Sequence, residues 1–174
     1  RPQTNVDVQI VDEDWNFLPA NEVGEIAIRT EANMVGYWNN AEATAKTLRD
    51  GWLRTGDMAR MDSDGYLYLV DRKNDMIVSG ALNVYPSEVE RILQQHPSIF
   101  EVAVIGVPSE KWGEEVKAIV VLKEGANVEA QDIINFCEGK LAGFKKPKTV
   151  EFIDKLPRNL TGKILKKDLR KKSI

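Results

Sequence analysis

The chain of 174 residues contains one cysteine and one histidine. With Cys137 alone no internal disulfide can form, and a reducing compartment is expected. Cys137 closes Ile133-Ile134-Asn135-Phe136-Cys137, which reads as helix and makes the thiol a buried structural group. A lone His96 excludes a zinc site built from several histidines, and a Ser-His-Asp triad would have to use it. His96 stands just before Pro97, where the predicted helix 86–95 must stop, and a partly charged imidazole is favoured at such an end. No apolar run approaches the roughly 20 residues needed to span a bilayer. The opening Arg1-Pro2-Gln3-Thr4 is polar, has no leader character and no initiator methionine. A portion of a longer protein is therefore expected, in the cytoplasm, with peripheral membrane association left open. A phosphate loop is missing at Gly162-Lys163: Pro157 stands where its first glycine belongs, and Ile164 where a hydroxyl is required.

What is present describes a folded protein. Hydrophobic residues make up 43% and charged residues 29%, which argues against disorder. The net charge of −3 conceals an asymmetry. From Lys140 to Ile174 there are 12 Lys and Arg against three acids, a local +9, so the remainder carries −12. A basic tail on an acidic body suits an anionic partner: nucleic acid, nucleotide or CoA phosphates, or an acidic face of a parent chain. A merely solvated basic helix fits the same charges. Aromatics do not interleave with the basic residues of 163–172, so a stacking platform for nucleic acid is not expected.

Residues 6–11 and 24–28 alternate polar and apolar and predict half-buried strands. Asn39 or Asn40 can cap a short helix over 41–48. Strands are predicted over 52–55 and 66–70, joined through the turn signal Asp62-Ser63-Asp64-Gly65. Together these make a small β-rich, barrel-like subdomain, assigned to 1–73. Its apolar content is thin, so it is expected to pack against something further. From 74 onwards the pattern becomes mixed α+β. A strand is predicted over 76–78, and a helix over 86–95 with Pro86 in its first turn. The continuous apolar runs 99–107 and 116–122 predict buried strands. A helix over 129–141, a strand over 149–153 and a helix over 165–172 complete the domain.

Four segments carry the chemistry. The first runs from Gly24-Glu25-Ile26 to Gly36-Tyr37-Trp38. The second is Gly51-Trp52-Leu53-Arg54-Thr55-Gly56-Asp57. The third is Asp71-Arg72-Lys73-Asn74-Asp75-Met76-Ile77-Val78-Ser79-Gly80, and the fourth Leu156-Pro157-Arg158-Asn159-Leu160-Thr161-Gly162-Lys163-Ile164. In this order and spacing, with Asn83-Val84-Tyr85-Pro86 between, they resemble the adenylate-forming superfamily, and its fatty-acid CoA ligases especially.

The resemblance implies an enzyme that joins ATP and a carboxylic acid, with magnesium, into an acyl-adenylate and pyrophosphate. The small domain then rotates, and the CoA thiol displaces AMP to form a thioester. Asp57 matches the aspartate that holds the adenosine ribose; taken alone, an aspartate after Thr-Gly is a turn residue. Arg72 matches the arginine of the nucleotide's ribose or phosphate region, with a surface ion pair to Asp71 or Asp75 as its plainer reading. Asn74 occupies the hinge, where the family usually has aspartate or lysine. Asparagine tolerates unusual torsions, so the hinge role carries over while a role needing charge does not. Ser79, Gly80 and Ala81 match the loop that forms the pantetheine tunnel, although Gly80 would equally close a tight hairpin. Trp112 lies in a loop that borders the active-site face, or is a packing aromatic. Lys163 matches the lysine that binds the acyl carboxylate and the α-phosphate; by itself it is a solvated surface lysine. Lys145-Lys146-Pro147-Lys148 could meet CoA phosphates on charge alone. The phosphate loop and the Tyr-Gly-x-Thr-Glu segment of the family are absent, as are magnesium ligands, so this stretch alone is expected to be inactive. Adenylation domains that load a carrier-protein thiol are a related alternative, and a non-enzymatic anion- or nucleic-acid-binding module a more distant one.

Overall fold

Alternating apolar residues lay down the first sheet. Val8 and Ile10 in β1 (Asp7–Val11) pair antiparallel with Ile28 and Ile26 in β2 (Val23–Arg29). The chain then forms α1 (Ala41–Thr47), β3 (Leu48–Arg49), β4 (Trp52–Met61) and β5 (Leu67–Arg72). Asn40 caps α1, its side chain accepting the Ala43 N–H at 2.9 Å. β2 and β4 run antiparallel, and β4 is long enough to take β3 at its start and β5 at its end. The result is a curled half-barrel of five strands. Its core is small: Ile10, Ile26 and Ala59 form one cluster, and Val11, Ala27 and Trp52 another. The turn Asp62–Gly65 forms where expected. The Asp62 carboxylate accepts the N–H groups of Asp64 and Tyr66 and the Tyr68 hydroxyl. The bond from Tyr66 is the largest influence holding that carboxyl below the usual range.

Residues 4–173 are described by this computed structural model; the opening Arg1-Pro2-Gln3 and Ile174 lie outside the described residues. The chain divides into two compact units, Arg1–Asn74 and Asp75–Ile174, with a 3-10 turn at Lys73–Asp75 where one gives way to the other. The second unit contains β6 (Ile77–Ser79), β7 (Leu82–Val84), α2 (Pro86–Leu93), β8 (Ile99–Ser109), β9 (Gly113–Leu122), α3 (Ala130–Phe136), β10 (Thr149–Phe152) and α4 (Lys166–Lys172). β8 and β9 form a long antiparallel hairpin, and β10 joins β9 in parallel. The continuous apolar runs are explained by two-sided burial. Val102, Val104, Ala118 and Val120 pack with Val89 and Leu93 of α2 and with Ile133 of α3. Ala103, Ile105, Ile119 and Val121 pack on the other side with Leu156 and with Leu169 of α4. Each fully buried Val, Ile or Leu side chain among them contributes roughly 1.5–3 kcal/mol.

The fold is thus α+β, a half-barrel followed by a mixed unit. Several details differ from the sequence pattern. β4 does not end at Thr55 but continues through Gly56 and Asp57 to Met61. α3 stops at Phe136, with Cys137 as its C-cap and the thiol fully buried. Burial raises the Cys137 pKa above its ordinary value. His96 is not a charged helix-end group. It packs edge-on to Phe136 with ring centroids 4.8 Å apart, and its Nδ1 accepts the Ser98 N–H at 3.2 Å. Burial, then the nearby Lys140, lowers its pKa.

Candidate functional site

The strand register places Asp57 of β4 directly opposite Arg72 of β5, and Arg72 Nε lies 3.1 Å from Asp57 Oδ1. The partners considered from sequence are otherwise engaged: the Asp71 carboxylate accepts Arg72's backbone N–H, and Asp75 pairs with Arg170. Asp57 is not in a turn. It lies within an irregularity in the β2–β4 register, between Arg54 and Met58, where Gly56 takes φ +78°, a left-handed conformation that favours glycine. A Cβ on Gly56 would meet nothing within 4 Å, so the backbone beside Asp57 is open to a ligand. Among the described residues Asp57 Oδ2 has no protein partner, which leaves one carboxylate oxygen free to accept a hydrogen bond.

The bulge is held by a residue whose individual role the sequence did not disclose. Glu25 is buried, at 6% exposure, and its Oε1 accepts the Gly56 N–H at 3.0 Å. Its Oε2 lies 3.2 Å from Lys73 Nζ and 3.6 Å from Arg54 Nε. Arg54 also lies over the Trp15 ring at 4.1 Å and donates to the carbonyls of Asp12 and Glu13. A buried carboxylate needs such compensation. Only the Gly-Glu dipeptide at 24–25 marks the place, and nothing in it announces a buried acid. A cleft of about 660 Å³ opens here, lined by Glu25, Arg54, Gly56, Lys73 and Asn74 among others.

In the second unit, Ser79, Gly80 and Ala81 form the corner of the β6–β7 hairpin. The Gly80 N–H donates to the Trp112 carbonyl at 2.7 Å, and Ser79 pairs with Gly113. A Cβ on Gly80 would stand 3.3 Å from Cε3 of Trp112, so this corner is closely packed by the indole. Trp112 keeps 44% exposure, with Lys111 Nζ over its ring.

Lys163 rises from a pinned hairpin. Arg158 and Ile164 bridge across its base, and Asn159 N–H donates to the Lys163 carbonyl at 2.9 Å. Asn159 Oδ1 accepts from the N–H of Thr161, the N–H of Lys163 and the Thr161 hydroxyl, at 2.8–3.0 Å. Gly162 supplies the turn with φ +85°. Arg158 donates to the Gly162 carbonyl and pairs with Glu101 of β8. Leu156 before the loop and Ile164 after it sit in the core against β8 and β9. The backbone of Lys163 is therefore fixed, while its exposed ammonium has no partner among the described residues. The signal for Asn159 was legible: asparagine two residues before the turn hydroxyl is an Asx-turn pattern.

Part of the basic excess is answered within this unit. Lys145 pairs with Glu88, Lys146 with Glu138, Lys166 with Glu90 and Arg170 with Asp75. This weakens the charge argument for Lys145–Lys148 as a phosphate site. Among the described residues no group of three or more His, Cys, Asp or Glu could hold a metal ion, and no helix is long and apolar enough to cross a membrane.

Residues 88–163 match the family model of the AMP-binding enzyme C-terminal domain, and the match ends on Lys163. The chain is 44% identical over 169 residues to the long-chain-fatty-acid–CoA ligase of Escherichia coli O6:H1, covering 97% of this chain and 30% of that protein. It is equally 44% identical to the fatty acid–[acyl-carrier-protein] ligase ScoC of Streptomyces coeruleorubidus, covering 97% of this chain and 33% of that protein. The crystal structure of ATP-bound MatB from Rhodopseudomonas palustris superimposes with a TM-score of 0.91 at 38% identity, over 97% of this chain and 34% of that one. The chain spans about a third of the length of the relatives it matches. Similarity at this level over nearly the whole chain, with the same fold, places the chain in the adenylate-forming acyl-CoA-ligase superfamily, whose AMP-binding C-terminal domain it carries.

Proposed function

We propose that this chain is the C-terminal part of an AMP-forming acid–thiol ligase, with 1–73 completing the large adenylation domain and 74–174 forming the mobile domain. The enzyme attacks the α-phosphate of ATP with a carboxylate, releasing pyrophosphate, and then exchanges AMP for the thiol of CoA. The observation that carries this reading is Lys163: an unpartnered ammonium on a hairpin fixed at both ends, in a chain 44% identical to a CoA ligase. Carboxylate attack on a phosphate brings two anions together and builds charge on the equatorial oxygens. A cation held in place lowers that barrier by orientation and electrostatics.

Asp57 binds the ribose hydroxyls through its free oxygen, and Arg72 shares that carboxylate or turns to the phosphate. ATP enters as its magnesium complex, and the metal's ligands come from elsewhere in the enzyme. Asn74 is the hinge between the half-reactions. The Ser79-Gly80-Ala81 corner lines the passage for the CoA thiol in the second. The exposed Val35 and Trp38 of the first unit belong to a surface that packs against the rest of the large domain. The acid is a fatty acid, by analogy with the Escherichia coli relative.

A second reading keeps the adenylation and changes the acceptor to a carrier-protein thiol, favoured by the equal identity to the carrier-protein ligase. The full-length protein, given magnesium-ATP, a long-chain fatty acid and either CoA or a phosphopantetheinylated carrier protein, distinguishes the two. Acid-dependent pyrophosphate release with acyl-CoA as product is expected. Acyl transfer to the carrier alone would establish the second reading, and no acid-dependent pyrophosphate release would contradict both.

A further inference from the structure

Asn74 lies between two ion pairs that reach in opposite directions along the chain. Lys73 Nζ is 3.2 Å from Glu25 Oε2, a contact wholly within the first unit. Arg170 Nη2 is 2.8 Å from Asp75 Oδ1, a contact wholly within the second. Neither tether is a freely solvated surface pair. The Glu25 side chain is 7% exposed, and Asp75 and Arg170 keep 26% and 29%. Both anchors are themselves held. Glu25 also takes the Gly56 N–H at the β4 bulge. Arg170 follows Leu169, which is buried in the core with Ile105 and Ile119. Asn74 has no side-chain hydrogen bond or ion pair among the described residues.

The energetics follow from burial. Turning the backbone at Lys73 would pull its ammonium from Glu25 and leave that buried carboxylate with only the longer Arg54 contact, 3.6 Å from Oε2, as counter-charge, which is unfavourable. Turning it at Asp75 would break the pair with Arg170. Only the torsions of Asn74 can change without opening either, and asparagine tolerates torsions that most residues avoid. The geometry points to Glu25 and Arg170 as positioning residues that confine the swivel between the two units to Asn74. This rests on the reading of Asn74 as the hinge. It assigns to Glu25 and Arg170 a role without contact to any substrate.

The test uses the 174-residue chain and needs no catalysis. Backbone 15N order parameters and relaxation dispersion are measured across residues 72–76. In the unmodified chain the mobile position is Asn74 alone, with its neighbours near the rigid value of about 0.85. Lys73→Met should lower Arg72 and Lys73 below roughly 0.6 and leave Asp75 and Met76 unchanged. Arg170→Met should do the reverse, and Asp75→Asn breaks the same pair without touching α4. Lys73→Arg should restore the original profile. A general loss of packing would loosen both sides together, so the one-sided response is the signature. Mobility at Asn74 whose extent ignores the variants, or spreads to both sides in each, overturns the tether proposal. A profile with no mobile residue from 72 to 76 overturns it together with the hinge reading.

Discussion

Asp57 and Arg72 face each other across β4 and β5, with Arg72 Nε 3.1 Å from Asp57 Oδ1. The pair is exposed, Arg72 at 62% and Asp57 at 35%, so it adds little stability, about 0–1 kcal/mol. Its value lies in holding an acceptor beside the open backbone of Gly56. Asp57→Ala in the full-length enzyme should therefore leave thermal stability nearly unchanged. It should lower kcat/KM for ATP by roughly 10- to 100-fold, the loss expected for hydrogen bonds to a charged group. Steady-state kinetics beside a thermal melt check this. An unchanged ATP dependence would return Asp57 to a purely structural role.

The hinge proposed at Asn74 predicts a separation of the proposed half-reactions. Proline at position 74 fixes φ near −65°, removes the N–H and restricts Lys73 before it. In Asn74→Pro one of the two orientations required for catalysis should become inaccessible. Acyl-adenylate should form and persist while thioester production falls. Quenched single-turnover assays that quantify both species would show it. Normal rates in both halves would mean that the pivot is elsewhere.

His96 predicts a pH dependence of stability. Burial, reinforced by Lys140 and Lys123 and opposed by Asp132, puts its folded pKa below the ordinary 6.5. The folded state thus binds this proton less readily than the unfolded chain does. Stability from this group is fully present above about 6.5 and is lost as pH falls below it toward the folded pKa. Urea midpoints at pH 7.5 and pH 5 should differ more in the unmodified chain than in His96→Gln. An identical pH slope in the two proteins would contradict the assignment.

His96 also shows why part of the molecule was hidden in its sequence. Its position at a helix end was legible from the following proline, but its neighbour Phe136 lies in another helix, and no local pattern pairs them. The strands of β8 and β9 were legible because burial on both sides forces an unbroken apolar run. β7 was not, because Leu82–Val84 is too short to show a period beside the Gly80 corner. Thr55-Gly56-Asp57 read as a strand end because glycine is the usual signal for a turn. Glu25, forty-eight residues from Lys73 in sequence, supplies the hydrogen bond that lets the strand continue instead. The motifs named Asp57, Arg72 and Lys163, and an Asx-turn pattern marks Asn159, whereas Glu25 and Arg158, which help to hold them in place, became evident only from their bonds.

The central claim concerns Lys163, and its most direct test separates the two half-reactions in Lys163→Ala of the full-length enzyme. Acid-dependent pyrophosphate release should fall by at least about 100- to 1000-fold, the usual loss for a transition-state electrostatic contact. Thioester formation from supplied acyl-adenylate and CoA should keep its rate. An equal fall in both half-reactions, or no fall in the first, would contradict the account.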